Sequence, residues 1–394
     1  MQGKLYNPIM DVKKKYAKRL KEIPPYLFAE IDREMAKKRA QGVDIINLGI
    51  GDPDIPTPGN IVQKLCESAK DPKNHRYPSY DGMPRFKEAV VKWYERRFNV
   101  CLNEKETIAL IGSKEGIAHI PLAFVNKGDD VLCPNPGYTV YHTATIFAGG
   151  SPVAMPLRQE NGFKPVLSAI KKPKKAKLMF LNYPNNPTAA TAGKEFFKEV
   201  VDFAQDNDII VCHDNAYSEV TFGGYKASSF LETRNAKEVG IEFHSLSKTY
   251  NMTGWRIGFA AGNEDVIAGL GKVKENIDSG IFQALQWAGI EALEGPQDSV
   301  AQHNRIIEDR MDYFVEELSA LGWDVKKPSA TFYLWFPCKG SSMEFSRRLL
   351  DETGVVMTPG VGFGKHGEGY VRAALTQSRE RLAQAVERIK KAGI

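Results

Sequence analysis

Short apolar runs alternate with stretches of helical period through the middle of this chain. Residues 107–112 (TIALIG), 130–133 (DVLC), 177–182 (KLMFLN), 208–213 (DIIVCH) and 241–245 (IEFHS) are rich in β-branched and aromatic side chains. Runs of that length and makeup predict buried strands. Residues 114–125 and 195–206, lying between such runs, place their apolar positions on one helical face. The alternation predicts an α/β domain whose mostly parallel sheet lies between layers of helices. Past residue 300 the pattern changes. A long amphipathic stretch, 302–321, leads into extended runs at 331–336 (TFYLWF), 355–357 and 369–373, then a terminal helix from Arg379. That order predicts a smaller α+β domain. The expected division is an N-terminal arm, 1–45, packed with the small domain, then a large domain, 46–295, and a small one, 296–394.

Length supports two domains, since 394 residues exceed the roughly 250–300 at which a single core stops growing. With 42% hydrophobic and 26% charged residues, the chain is neither disordered nor fibrous. No apolar run approaches the ~18–20 residues of a membrane span. The first residues lack the apolar core of a secretory signal, and a basic stretch there is interrupted by acidic Asp11 and Glu22 and followed by Pro24-Pro25. Five scattered cysteines without a CxxC pair predict neither a disulfide framework nor a thiolate metal site. A cytoplasmic protein is expected. Net charge is +5, too small for a nucleic-acid footprint unless clustered. The densest basic run, 171–175, is broken by Pro173 and reads as a solvated loop.

In an open α/β sheet ligands bind beyond the carboxyl ends of the strands, so the residues just after each predicted strand matter most. After TIALIG comes Gly112-Ser113-Lys114, opening a helix whose free N–H groups suit a phosphate. After KLMFLN comes Tyr183-Pro184-Asn185-Asn186-Pro187-Thr188; after DIIVCH comes Asp214-Asn215-Ala216-Tyr217. A carboxylate leaving a hydrophobic strand needs a cationic partner. After IEFHS comes Leu246-Ser247-Lys248, with Arg256 eight residues on behind Gly254-Trp255. A lysine there, desolvated and close to another cation, is a candidate amine nucleophile. Arg372, in a short strand of the C-terminal domain, has the fork that clamps a carboxylate. Each feature alone also reads as a turn, a helix cap or a core residue. Together they meet the needs of pyridoxal 5′-phosphate: a lysine for the Schiff base, an acid for the pyridine nitrogen, and a cradle for the phosphate.

These residues resemble the fold-type I pyridoxal-phosphate aminotransferases of class I/II over essentially the whole chain. The run SLSKTYNMTGWRIG is similar to that family's Schiff-base signature. The resemblance implies an aspartate-aminotransferase-like fold. It also implies that Lys248 holds the cofactor and shuttles the proton, and that Asp214 pairs with the pyridine nitrogen. Asn186 and Tyr217 would bond the 3′ oxygen. Ser113, Lys114, Ser245 and Arg256 would lie at or near the phosphate, with Ser247 a weaker candidate. Tyr138, in Pro134-Asn-Pro-Gly-Tyr138, would stack on the ring. Tyr77 would reach the phosphate of a neighbouring subunit, which implies a homodimer with shared sites. Arg372 would bind the substrate α-carboxylate, approached also by the backbone of Gly51. The family reads Asn-Pro-Thr-Gly where this chain has Ala189 after Thr188, and alanine adopts positive φ less readily than glycine.

Pro24-Pro25-Tyr26-Leu27-Phe28-Ala29-Glu30-Ile31-Asp32, Asn74-His75-Arg76-Tyr77-Pro78-Ser79-Tyr80 and Thr358-Pro359-Gly360-Val-Gly-Phe-Gly364 further resemble the LL-diaminopimelate aminotransferases. That narrower likeness implies amino transfer between LL-2,6-diaminopimelate and 2-oxoglutarate in lysine and diaminopimelate synthesis. Tyr26, Gly51, Lys114, Tyr138, Asn186 and Arg372 are then substrate contacts, with Asn276 a looser one. The far end of diaminopimelate carries an ammonium and a carboxylate, that of 2-oxoglutarate a carboxylate alone, so one pocket must serve both. The alternatives are a class I aminotransferase acting on aspartate, alanine, methionine or aromatic amino acids, a lyase or decarboxylase of the same fold, and a regulator with a degenerate domain. For the last, the residues before Gly49 show no helix-turn-helix pattern. Gly362-Phe-Gly364-Lys-His-Gly367 matches the dinucleotide pattern, yet an extended run follows it instead of a helix, and a mobile loop over the site is expected. No clustered histidines or HExxH predict a catalytic metal.

Overall fold

The computed structural model describes residues 12–23, 27–171 and 175–394. Its strands, in chain order, are β1 (Ile46–Asn47), β2 (Thr107–Leu110), β3 (Asp130–Asn135), β4 (Ser151–Pro156), β5 (Ala176–Asn182), β6 (Ile210–Asp214), β7 (Gly240–Ser245), β8 (Gly258–Gly262), β9 (Tyr333–Pro337), β10 (Val355–Val356), β11 (Thr358–Pro359) and β12 (Tyr370–Ala374). A seven-stranded sheet has the order β2-β8-β7-β6-β5-β3-β4. Its strands β4, β3, β5, β6 and β7 are parallel, and β8 runs antiparallel to both β2 and β7.

Both faces of this sheet are covered, which explains why its strands read as continuous apolar runs instead of alternating ones. Leu178 and Phe180 of β5 pack with Ile117 and Ile120 of the helix Ser113–Phe124 and Leu270 of the helix Glu264–Glu275. Met179 and Leu181, pointing the other way, join Phe86 and Trp93 of Pro84–Phe98 and Phe197 and Val200 of Lys194–Asn207.

Two strands of the sheet lay outside the sequence expectation. β4 (SPVAMP) carries two prolines and lies at the sheet edge, where a missing N–H is tolerated. β8 (GFAAG) is built of small residues because its backbone lies close against β7: a Cβ on Gly258 would fall 2.4 Å from the His244 carbonyl oxygen. Neither shows the β-branched alternation by which a strand is recognised.

The antiparallel sheet β11-β12-β9 and the parallel pair β1–β10 are built largely from later segments. Their core gathers Ile46 and Leu48 with Phe314, Leu334, Phe336 and Leu382, and takes in Tyr217 and Phe222 from the segment after β6. Met35 of the helix Leu27–Ala40 packs with Leu350 and Val356, and Lys38 pairs with Asp351 at 2.7 Å. The glycine-rich segment at 360–367 forms two short 3-10 turns, Gly360–Phe363 and Lys365–Gly367, and opens no α-helix. No helix among the described residues is long and apolar enough to cross a membrane.

Candidate active site

The carboxyl ends of β5, β6 and β7 and the helix after β2 open on one cavity of about 420 Å³. Lys248, in the four-residue helix Leu246–Thr249 that follows β7, reaches into it and donates from Nζ to the Gly51 carbonyl at 2.8 Å. Burial, the largest influence, lowers its ammonium to about 8. Asp52 opposes that shift, and the charges of Arg372 and Arg256 add to it. The amine is therefore neutral over part of the ordinary pH range, as a nucleophile must be.

Asp214 ends β6 and is only 5% exposed. Its Oδ2 accepts from Tyr141 Oη at 2.8 Å, while its Oδ1 is buried without a hydrogen-bond partner among the described residues. Burial raises its carboxyl to about 6, against the Tyr141 hydrogen bond and the charge of His213. A buried acceptor aimed into a cavity and lacking a donor fits a protonated ring nitrogen.

Behind it, His213 points to the opposite face of the strand and bonds Glu242 of β7 at 3.0 Å. Asn215 Nδ2 donates to the same carboxylate at 2.6 Å, and Ser229 also donates to it. Burial opposes ionisation of Glu242, but the His213 bond and charge outweigh it and hold the carboxyl below its ordinary range. This closed network fixes the neighbouring ends of β6 and β7, which carry Asp214 and lead into Lys248.

Asn186 follows β5 in a turn pinned by its N–H to Asn182 Oδ1 at 2.7 Å. Its Oδ1 accepts from Arg372 Nη1 at 2.7 Å, and Arg372 Nη2 donates to the Gly49 carbonyl at 2.5 Å. The guanidinium lies 4.2 Å from the Tyr333 ring and 4.7 Å from Phe363. Tyr217 Oη meets Tyr333 Oη at 3.0 Å. Gly51 must be glycine, because an added Cβ would fall 2.1 Å from Tyr333 Oη. Ala189 adopts φ +57°, so the turn that carries Asn186 keeps the left-handed residue despite the alanine.

Ser113, Lys114, Ser245 and Arg256 line the same cavity. Glu115, one position on, is tied to the fully buried Lys274 at 3.1 Å, and Lys274 reaches Asp278 at 2.9 Å. Tyr138 caps the helix Thr139–Ala148 and meets Tyr141 edge-on at 5.7 Å.

Of the sequence-predicted residues the fold thus gathers Lys248, Asp214, Tyr217, Asn186, Ser113, Lys114, Tyr138, Ser245, Arg256, Gly51 and Arg372 around one cavity, with Ser247 as well. It does not bring in Asn276, whose side chain closes its own helix end by donating to the Lys272 carbonyl at 2.8 Å. Tyr77 is 86% exposed on this chain and lies outside the cavity. Tyr26 falls outside the described residues. Sequence reasoning missed Tyr141, Tyr333, Phe363, Thr253 and Asp32. Tyr141 left a signal, three residues after Tyr138 and so on the same helical face, while Asp32, Thr253 and Phe363 lay inside the motifs that carry the resemblance without being singled out.

A lysine and an aspartate at adjacent strand ends, under a sheet of this order, define a pyridoxal-phosphate enzyme of the aspartate-aminotransferase fold. The chain belongs to the aminotransferases of class I and II, whose family model matches residues 43–389; it is a transaminase, and the family's cofactor is pyridoxal 5′-phosphate. Among its relatives, LL-diaminopimelate aminotransferase of Syntrophobacter fumaroxidans is 58% identical, covering 95% of this chain and 98% of that one. The enzyme of the same name from Moorella thermoacetica is 54% identical over 95% and 97%. Among solved structures, substrate-bound BacF from Bacillus subtilis superposes with a TM-score of 0.92 at 37% identity, covering 95% and 97% of the two chains. An aspartate aminotransferase mutant of Thermus thermophilus gives 0.90 at 27% identity, covering 96% and 99%.

Proposed function

We propose that this protein transfers an amino group between LL-2,6-diaminopimelate and 2-oxoglutarate. The observation that supports the transfer is two groups lining one cavity: an amine lowered to about 8 and a buried carboxylate oxygen without a donor among the described residues. The choice of diaminopimelate is supported by relatives of that name at 52–58% identity over nearly the whole chain. Bound pyridoxal phosphate supplies an aldehyde for the amine and a ring that accepts carbanion charge.

Each residue then has a role. Lys248 Nζ would hold the cofactor and, once free of it, would be the base placed to move the proton at the substrate Cα. Asp214 Oδ1 would accept from the ring nitrogen, and Tyr141 keeps that carboxylate oriented. Asn186 and Tyr217 would donate to the ring oxygen, and Tyr138 would cover a ring face. Ser113, Ser245 and Arg256 receive the phosphate, with Lys114 beside them. Arg372 is prepositioned by Asn186 and Gly49 for the substrate α-carboxylate, and the bare backbone of Gly51 leaves room for it. Tyr77 serves the phosphate of a second copy in a homodimer. The free cysteines, Cys66 and Cys101 exposed among them, suit the cytoplasm.

A donor profile tests the reading. Purified holoenzyme should show its highest kcat/KM with LL-diaminopimelate when compared with aspartate, alanine, methionine and aromatic donors. A higher value for any of those would refute the assignment.

A further inference from the structure

The helix Ser113–Phe124 opens at Gly112, which has no side chain to cap the first N–H groups, and an uncapped helix end suits the cofactor phosphate. Its first turn nevertheless carries an acid, Glu115. A carboxylate close to a phosphate site repels the phosphate, and burial sharpens the repulsion by removing the solvent that would screen it. The fold answers with Lys274 of the helix Glu264–Glu275. Its ammonium is fully buried and lies 3.1 and 3.2 Å from the two Glu115 oxygens. Asp278, one turn further on, holds the same ammonium at 2.9 and 3.0 Å and also accepts from the Gly280 N–H at 2.7 Å. His119 Nδ1 lies 3.3 Å from Glu115 Oε1. Burial opposes ionisation of Glu115, but His119, the Lys274 charge and the Ile111 N–H outweigh it and hold the carboxyl below its ordinary range.

Glu115 also ties back the chain that enters the helix. Its Oε2 accepts from the Ile111 N–H at 2.6 Å, while the Ile111 carbonyl accepts from Arg256 Nη2 at 3.2 Å. Between them Gly112 leaves room for that guanidinium, since an added Cβ would fall 2.7 Å from Nη2. Arg256 lines the cavity; Glu115, Lys274 and Asp278 stand behind it. We propose that Lys274 is a positioning residue for the phosphate end of the cofactor: its charge cancels that of Glu115, and its bonds hold that carboxylate on the Ile111 N–H. The proposal rests on the phosphate placement given above and deepens it. Buried ion pairs add little stability over apolar residues of the same volume. What this one provides is a phosphate-binding helix end relieved of its own acid's charge.

The test is a cycle of full-length variants, Glu115→Gln, Lys274→Gln and the two together. Each is freed of cofactor and titrated with pyridoxal phosphate and with pyridoxal, which lacks the phosphate. Absorbance gives both Kd values without turnover. Their ratio isolates the phosphate, because a general loss of structure weakens both ligands alike. Lys274→Gln leaves Glu115 uncompensated and should lower the preference for the phosphorylated ligand by about tenfold. In the double variant one charge of each sign is gone and an acceptor remains for the Ile111 N–H, so the preference should return to within about threefold of wild type. Glu115→Gln alone should raise it. That variant keeps Lys274 paired with Asp278, so it reports even where Lys274→Gln alone is unstable: adding Lys274→Gln to it should lower the preference again. Equal losses on the two ligands, or a ratio that ignores the charge at position 274, overturn the proposal. Arg256→Met with a wild-type preference would instead place the phosphate elsewhere and sink the reading on which the proposal rests.

Discussion

Lys248 and Asp214 show how one environment serves opposite ends of the same chemistry. Desolvation disfavours charge on both, lowering the amine to about 8 and raising the acid to about 6. Neutral amine is the form that attacks the cofactor aldehyde. Uptake of pyridoxal phosphate by the cofactor-free protein should therefore accelerate as pH rises, with a midpoint near about 8. Stopped-flow absorbance checks this; a midpoint at the ordinary lysine value of 10.5 would show that Lys248 is not desolvated. These two residues and Asn186 were readable in the sequence because each stands at or just past the end of a short apolar run, and Arg372 because it is a lone cation inside a short extended one. Tyr333 was not, since in TFYLWF it is one aromatic among several, and its contact with Arg372 depends on strand packing.

The turn after β5 carries a visible departure from the family pattern. Ala189 at φ +57° is held by its N–H to the Asn185 carbonyl at 2.9 Å and by Asn185 N–H to the Ala190 carbonyl at 2.9 Å. A left-handed alanine costs about 1–2 kcal/mol. Glycine would remove that strain and give back roughly 0.4–1 kcal/mol through a freer unfolded chain. Ala189→Gly should consequently stabilise the fold by about 0.5–1 kcal/mol, a rise in Tm on the order of 1–2 °C by calorimetry. A lower Tm would mean that tertiary contacts, and not glycine, favour this conformation. The sequence located the turn, through Asn-Pro, but not its dihedral, which the surrounding hydrogen bonds impose. It likewise located five strands of the large sheet and passed over β4 and β8, where prolines at an edge and small residues in a tight pair replace the usual β-branched signal.

Across the whole molecule, Tyr77 with Tyr80 and Phe282 leaves aromatic surface in solvent, Tyr77 being 86% exposed. The segment is held to its own chain by Gln283 Nε2 donating to the Arg76 carbonyl at 3.2 Å and by His75 against Phe282 at 6.4 Å. A presented tyrosine on an anchored segment suits a neighbour's site in a two-fold dimer. Sedimentation should give a dimer, and Tyr77→Phe should weaken cofactor affinity by about tenfold without dissociating it; a stable, fully active monomer would contradict the shared site. By itself the sequence determined the alternation of elements and the chemistry placed just past the strands, because periodicity and chain order are local properties. Only the tertiary structure decided which distant residues meet. The order β2-β8-β7-β6-β5-β3-β4 brings Ser113, Asn186, Asp214 and Lys248 to one edge, and packing of the N-terminal helix and the smaller sheet adds Asp32, Tyr333 and Arg372. Those neighbours are set by the complementarity of buried surfaces far apart in the chain, which no window along it contains.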